Sequence, residues 1–281
     1  MRWGLEDVHL TRGRAVALAG VTLPADPARI TVVIGGDGAG KSSCLEVLAG
    51  LAEPGAGAVY RPGKEHIGYV PASTGLYQDL TVAENLDFTA RAYQIPAADR
   101  GRRADELLKL TGLAGARHRL GGQLSGGMQR KLAVAMALLH APDLLILDEP
   151  TTGVDPVSRA ELWRLITRAA AEGTAVAVAT TYVNEAARAA RVVLLEAGAV
   201  VASGSPDDIL HSVPGIFGTS RAAGRPAPLS WRRGASWRVW APEGGLPDGV
   251  RLVRPDFQDA VVAATLAGEQ GRLVSAGREA R

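Results

Sequence analysis

Short apolar runs recur along the chain at residues 30–34, 67–70, 144–147, 175–179 and 192–195. Strands covered on both faces read as continuous apolar segments rather than alternating ones, so these runs predict a mostly parallel, buried sheet. Between them lie stretches with helical signals. Residues 41–48 read as a helix closed by Gly50, and Thr81 with Glu84 predicts a capping box that opens a helix toward Pro96. Two further helical stretches, 99–110 and 125–140, complete a helix-only insert over about residues 80–140. Asp155 followed by Pro156 supplies an N-cap and a first helical position for a helix reaching Glu172, and Ser205-Pro206 opens a short last helix.

Past residue 213 the pattern changes. Residues 214–230 are rich in Pro and Gly with little periodicity, which predicts a linker, and residues 231–281 predict a small α+β appendage. Trp231, Trp237 and Trp240 fall in that tail, which is basic from residue 219 on. A basic, aromatic tail admits contact with nucleic acid or lipid headgroups. The blander reading, a small domain with core tryptophans and a solvated arginine face, fits the pattern better.

Composition narrows the classes. The chain has 281 residues, 31 Lys+Arg against 29 Asp+Glu, a net charge of +2 and one cysteine. So balanced a charge gives no global field for nucleic acid, and no nucleic-acid partner is expected. A lone Cys44 excludes an internal disulfide and a cysteine-based zinc cluster. The longest stretch free of Asp, Glu, Lys and Arg, residues 66–78, is far short of the roughly 20 apolar residues that span a bilayer. Acidic residues interrupt the start before any signal-peptide run forms, so a cytoplasmic location is expected.

Three segments carry chemistry. Gly35, Gly36, Asp37, Gly38, Ala39, Gly40, Lys41 and Ser42 fit G-x-x-x-x-G-K-[ST] between a predicted strand and a predicted helix. The glycines allow backbone N–H groups to turn inward and form an anion nest at a helix start. Lys41 would reach the β- and γ-phosphates of a nucleotide, and the Ser42 hydroxyl would take part in holding Mg²⁺. Asp148 and Glu149 end the buried run LLIL, where Asp148 is assigned to the metal and Glu149 to orienting the attacking water. Ser125, Gly126 and Gly127 in LSGGMQR form a helix start with uncovered first-turn N–H groups, either an anion site or a plain cap on pattern alone.

Taken in order, GGDGAGKSS, LSGGMQR, LLILDEP and GVD resemble the ATP-binding subunit of an ABC transporter over residues 1–213. The resemblance implies a P-loop NTPase fold of the ABC ATPase type: a mixed, mainly parallel sheet core, a β-rich N-terminal part and an α-helical signature subdomain. It implies that residues 35–43, Ser43 included, hold one ATP, while Ser125, Gly126 and Gly127 grip the γ-phosphate of ATP on an opposing subunit. Two subunits would then sandwich two MgATP head to tail, with Asp155 in the loop communicating between sites. It also implies integral membrane permeases as partners and a place at the inner face of the membrane. The phrases GLYQDLTVAENLDFTARAYQI and PDFQDAVVAATLAG resemble exporters of the ABC-2 type, whose permease is a separate chain.

The sequence departs from that family at three positions. Ala72 stands where the family carries a glutamine at the metal and attacking water, Thr181 where it carries a switch histidine, and Arg12 where an aromatic stacks on adenine. An alanine offers no polar group, and a threonine hydroxyl cannot carry a proton at neutral pH. ATP binding is therefore expected to survive and turnover at this chain's own site to be slow. Pairing with a second, complete ATPase chain is favoured modestly over a slow homodimer.

Overall fold

A computed structural model describes residues 3–222 and 224–279. The chain opens with β1 (Trp3–Arg12) and β2 (Ala15–Ala25), an antiparallel pair, and then β3 (Ile30–Ile34), whose five residues are all buried. Helix α1 (Lys41–Ala49) follows and ends on Gly50 in the left-handed region at φ 75°. Strand β4 (Ala56–Tyr60) returns to pair with β1, and β5 (Ile67–Val70) enters the main sheet. Three helices follow: α2 (Val82–Ala92), α3 (Ala97–Leu110) and α4 (Gly126–Leu138). Thr81 caps α2 through the reciprocal box with Glu84 that the sequence predicts.

The second half alternates. It runs β6 (Leu144–Asp148), α5 (Pro156–Ala171), β7 (Ala175–Thr180), the four-residue α6 (Val183–Ala186), β8 (Arg191–Glu196), β9 (Ala199–Gly204) and α7 (Pro206–Ser212). The main sheet has the order β5-β6-β7-β3-β8-β9, parallel throughout except for the β8–β9 pair. Strand residues alternate between two cores. Val32, Leu145, Leu147, Val176 and Val178 pack with Leu162, Trp163 and Ile166 of α5 on one face. Val33, Leu144, Ile146 and Ala177 pack on the other face with Leu45 and Leu48 of α1 and Leu18 and Leu23 of β2. Cys44 lies in this second core, where burial pushes its thiol up to about 12 and leaves it a packing residue. Helices α2, α3 and α4 share a third core around Leu86, Leu108 and Leu132. No helix among the described residues is long and apolar enough to cross a membrane.

The expected linker over residues 214–230 is corrected. It contains β10 (Ile216–Ser220), which pairs with both β12 (Ser236–Ala241) and β13 (Arg251–Val253) in a four-stranded sheet completed by β11 (Ser230–Arg233). Gly218 breaks the sequence signal because a Cβ there would lie 2.4 Å from Val250 Cγ1, so the loop before β13 fills the room of a side chain. Nor does the tail stand apart from the rest. Phe217 and Trp240 are buried under α8 (Phe257–Glu279) with Ala263, while Ala260 and Val261 of the same helix enter the main core. Asp259, fully buried, ties α8 to the small sheet through Arg233 at 2.8 Å and Arg238 at 3.3 Å.

This shared helix predicts one cooperative unit. Val261→Ala is expected to cost about 1–3 kcal/mol and to shift the unfolding transition of the whole chain in a denaturant titration. A second, separate transition for the tail would contradict it.

Candidate functional site

The loop from β3 to α1 is shaped by what its glycines exclude. A Cβ on Gly35 would sit 2.4 Å from the Leu195 carbonyl oxygen, and Gly40, at φ 104°, would place one 2.7 Å from the Ala17 carbonyl oxygen. Only glycine lets the loop pack this closely between β2 and β8. Gly36, Asp37 and Gly38 face outward, and no side chain caps α1, so the helix start is open to an anion. Lys41 is 7% exposed and donates to the carbonyl oxygens of Gly35 and Gly36 at 3.1 and 3.0 Å. Its Nζ is also 3.6 Å from Glu149 Oε1.

Asp148 ends β6 at 2% exposure, with Oδ1 buried and without a hydrogen-bond partner. Burial pushes its carboxyl above the usual carboxylate range, opposed by the Ser42 hydroxyl and by the charges of Lys41 and Arg130, with Glu46 adding to the rise. Glu149 follows at φ 48°, a left-handed conformation that side chains other than glycine rarely adopt. Its N–H donates to the Ala179 carbonyl at 3.0 Å, and its Oε2 accepts from the Thr152 hydroxyl at 2.8 Å. The loop and both carboxyls are thereby brought together; Ala39 is buried, and the Ser43 hydroxyl accepts from Arg12. Arg12, at the end of β1, reaches Ser43 Oγ at 3.4 Å and forms an ion pair with Glu46. It lies beside α1, already engaged by a carboxylate.

Ser125, Gly126, Gly127 and Asp155 gather elsewhere. Ser125 caps α4 by accepting from the Met128 N–H, and Asp155 caps α5 by accepting from the N–H groups of Val157 and Ser158, each at 3.0 Å. Hydrogen bonds from Ser158 and then Val157 hold the Asp155 carboxyl below its usual range. A Cβ on Gly127 would meet Ser158 Oγ at 2.7 Å and Asp155 Oδ2 at 3.3 Å, so the two helix starts lie side by side. The atoms nearest these glycines belong to Gly153, Asp155 and Ser158; those nearest Gly35 and Gly40 belong to other segments.

Two groups escaped the sequence reading. Arg130, half-buried on α4, donates to the carbonyls of Pro71 at 3.2 Å and of Ala72, joining the signature helix to the segment after β5. Burial lowers its pKa against the pull of Asp148 and Glu149, so its charge lies within their field. Glu185, on α6, is 1% exposed and held by Thr151 and Thr180. The phrase LSGGMQR could have drawn attention to Arg130, and TTYVNEA, in which Glu185 stands four residues after Thr181, to Glu185. Thr181 itself is exposed at the end of β7.

A family model described as ABC transporter matches residues 18–152. A probable multidrug ABC transporter ATP-binding protein of Escherichia coli (strain K12) is 38% identical over 196 residues, 66% of this chain but only 34% of that protein. The chain thus spans about a third of that relative's length. A Nod factor export ATP-binding protein I of Paraburkholderia xenovorans (strain LB400) is 33% identical over 234 residues, covering 78% of this chain and 77% of the relative. Among solved structures, a dimeric post-hydrolysis ATP-binding cassette bound to ADP and Pi superposes with a TM-score of 0.66 at 27% identity, covering 73% of this chain and 98% of that one. With the loop and the paired carboxyls at one edge of a mainly parallel sheet, the chain belongs to the ABC transporter family.

Proposed function

We propose that this chain binds MgATP on residues 35–43 and, paired head to tail with a second ATPase subunit, drives the motion of separate membrane permeases of an exporter. One observation carries the proposal: Lys41 and Ser42, at the start of α1, meet Asp148 and Glu149, at the end of β6. That arrangement cradles a polyphosphate, with a buried carboxyl for the metal and a second one for the water. Mg²⁺ fits the residues present. Asp148 Oδ1 is a buried oxygen without a partner, Ser42 lies beside it, and no cluster of three or more His, Cys, Asp or Glu occurs among the described residues. Such a site leaves most coordination positions to phosphate and water, the usual arrangement for Mg²⁺. When bound, the ion would neutralise developing phosphate charge.

The nearest neighbours of Gly126 and Gly127 are Gly153, Asp155 and Ser158, none of them in this chain's own loop, which supports their serving ATP on an opposing subunit. The solved dimeric cassette supports such pairing by analogy. For the permease, a groove beside Ala72 is lined by Tyr69, Pro71, Tyr77, Phe88, Tyr93 and Met136. Tyr77 and Phe88 are each 47% exposed there, with ring centroids 4.7 Å apart, an apolar seat for a helix of the membrane partner. Ala72 and Thr181 favour slow turnover at this chain's own site, and so a partner ATPase that is a different chain. A second reading, an ATP-gated subunit with no useful turnover, rests on the same two residues.

Two measurements test these readings. Glu149→Gln is expected to keep nucleotide binding and to lower steady-state MgATP hydrolysis by on the order of 10²–10⁴, the usual share of a general base. Binding without turnover by the unsubstituted chain would favour the second reading, and no binding at all would overturn both. Asp148→Asn probes the metal. Because burial raises the folded-state pKa of Asp148, its ionised form is penalised: stability falls as pH rises from the unfolded value through the folded one. Asn removes it, so the nucleotide-free variant should melt above the unsubstituted chain at pH 7 while losing Mg²⁺-dependent ATP binding.

A further inference from the structure

The reaction proposed above leaves the buried carboxyl of Glu185 unused. Glu185 accepts from the Thr151 hydroxyl through Oε1 at 2.6 Å and from the Thr180 hydroxyl through Oε2 at 2.9 Å, and both threonines are fully buried. Arg159 Nε lies 3.8 Å from Oε1, and the same guanidinium stands 4.5 Å from the centre of the Tyr182 ring. Burying a carboxyl against two hydroxyls and an arginine is a poor route to stability, since well-packed apolar residues of similar volume do as well or better. What the arrangement does supply is a fixed geometry.

Its partners come from three elements, each next to a group of the site. Thr151 lies two residues after Glu149, and the intervening loop is held again where Thr152 donates to Glu149 Oε2. Thr180 immediately precedes Thr181, and its oxygen also accepts from the Tyr182 N–H at 3.1 Å, so the turn carrying Thr181 is closed over it. Arg159 lies in the first turn of α5, where its N–H bonds the carbonyl of Asp155, the residue beside Gly127.

We infer that Glu185 is a positioning residue that holds the Glu149 loop, the Thr181 turn and the start of α5 in one register, so that nucleotide engaged at one is felt at the others. The inference rests on the proposed nucleotide site and names the link between its two halves. It does not depend on turnover.

Hydrogen exchange of the full chain with and without a non-hydrolysable ATP analogue and Mg²⁺ tests it. In the unsubstituted chain, nucleotide should raise protection in residues 149–155 and 180–186 together. Glu185→Gln keeps the volume but removes the charge facing Arg159 and turns an amide toward one hydroxyl. The variant should bind the analogue within about threefold of the unsubstituted chain and protect 149–155, yet lose most of the gain over 180–186. Thr151→Val, which removes one donor to Glu185 without changing charge or touching the Thr181 turn, should give the same loss and serves if Glu185→Gln folds poorly. Lower melting temperature with both segments still gaining protection would mean a structural role only and overturn the inference. No nucleotide binding by the unsubstituted chain would instead overturn the site reading, and this inference with it.

Discussion

Parallel pairing of three neighbouring strands is the constraint on which the rest depends. In the register of β6, β7 and β3, Asp148 lies opposite Ala179 and Ile34 opposite Thr180. The three strands therefore end within one residue of a common level, and the next residue of each, Glu149, Thr181 and Gly35, emerges on one edge of the sheet. An antiparallel strand would have delivered its end to the opposite edge. Open α/β sheets place ligand sites outside the carboxyl ends of their strands for this reason. Every strand residue involved is buried, so the edge is held by two hydrophobic cores rather than by the polar groups it presents.

That rigidity permits local arrangements that would be unfavourable elsewhere. Lys41 and Asp148 are both almost fully buried, and Glu149 occupies a left-handed conformation. Lys41 is satisfied by the carbonyls of its own loop and by the nearby Glu149, and the Ser42 hydroxyl serves Asp148. Under the proposed function, a polyphosphate and its metal would take over these partners. Replacement costs less than creating the contacts from water-exposed side chains, because the groups are already oriented and largely dehydrated.

How legible the molecule is from sequence depends on how local the determining interactions are. The runs 30–34, 144–147 and 175–179, the Thr81–Glu84 box, and the caps at Ser125 and Asp155 all involve residues within a few positions of one another, and each is found where it is predicted. Strand β10 was hidden because Gly218 yields its side-chain space to Val250 and Leu246, about thirty residues on. Arg130 and Glu185 were hidden for the same reason. Arg130 meets backbone carbonyls some sixty positions away, and Glu185 meets Thr151 thirty-four positions away, contacts with no sequence period. The loop at 35–42 was legible as a glycine turn because its strand and helix are contiguous with it.

The contact of Arg130 with Pro71 and Ala72 bears on what the unusual residue at position 72 changes. Both bonds go to backbone carbonyls, so they are indifferent to the side chain at 72. The link between the signature helix and the segment beneath the Tyr77–Phe88 groove therefore survives an alanine. Under the proposed function, what alanine gives up is a polar side chain whose role would be chemical. Thr181 follows the same logic: Thr180, one residue earlier, anchors the turn through Glu185, while the group that would carry a proton is missing. Both departures spare the mechanical contacts and remove chemical ones. A site altered in that way is better suited to closing on ATP than to cleaving it, and this physical pattern, rather than the number of altered positions, is what supports a subunit whose own ATP serves mainly to hold the pair together.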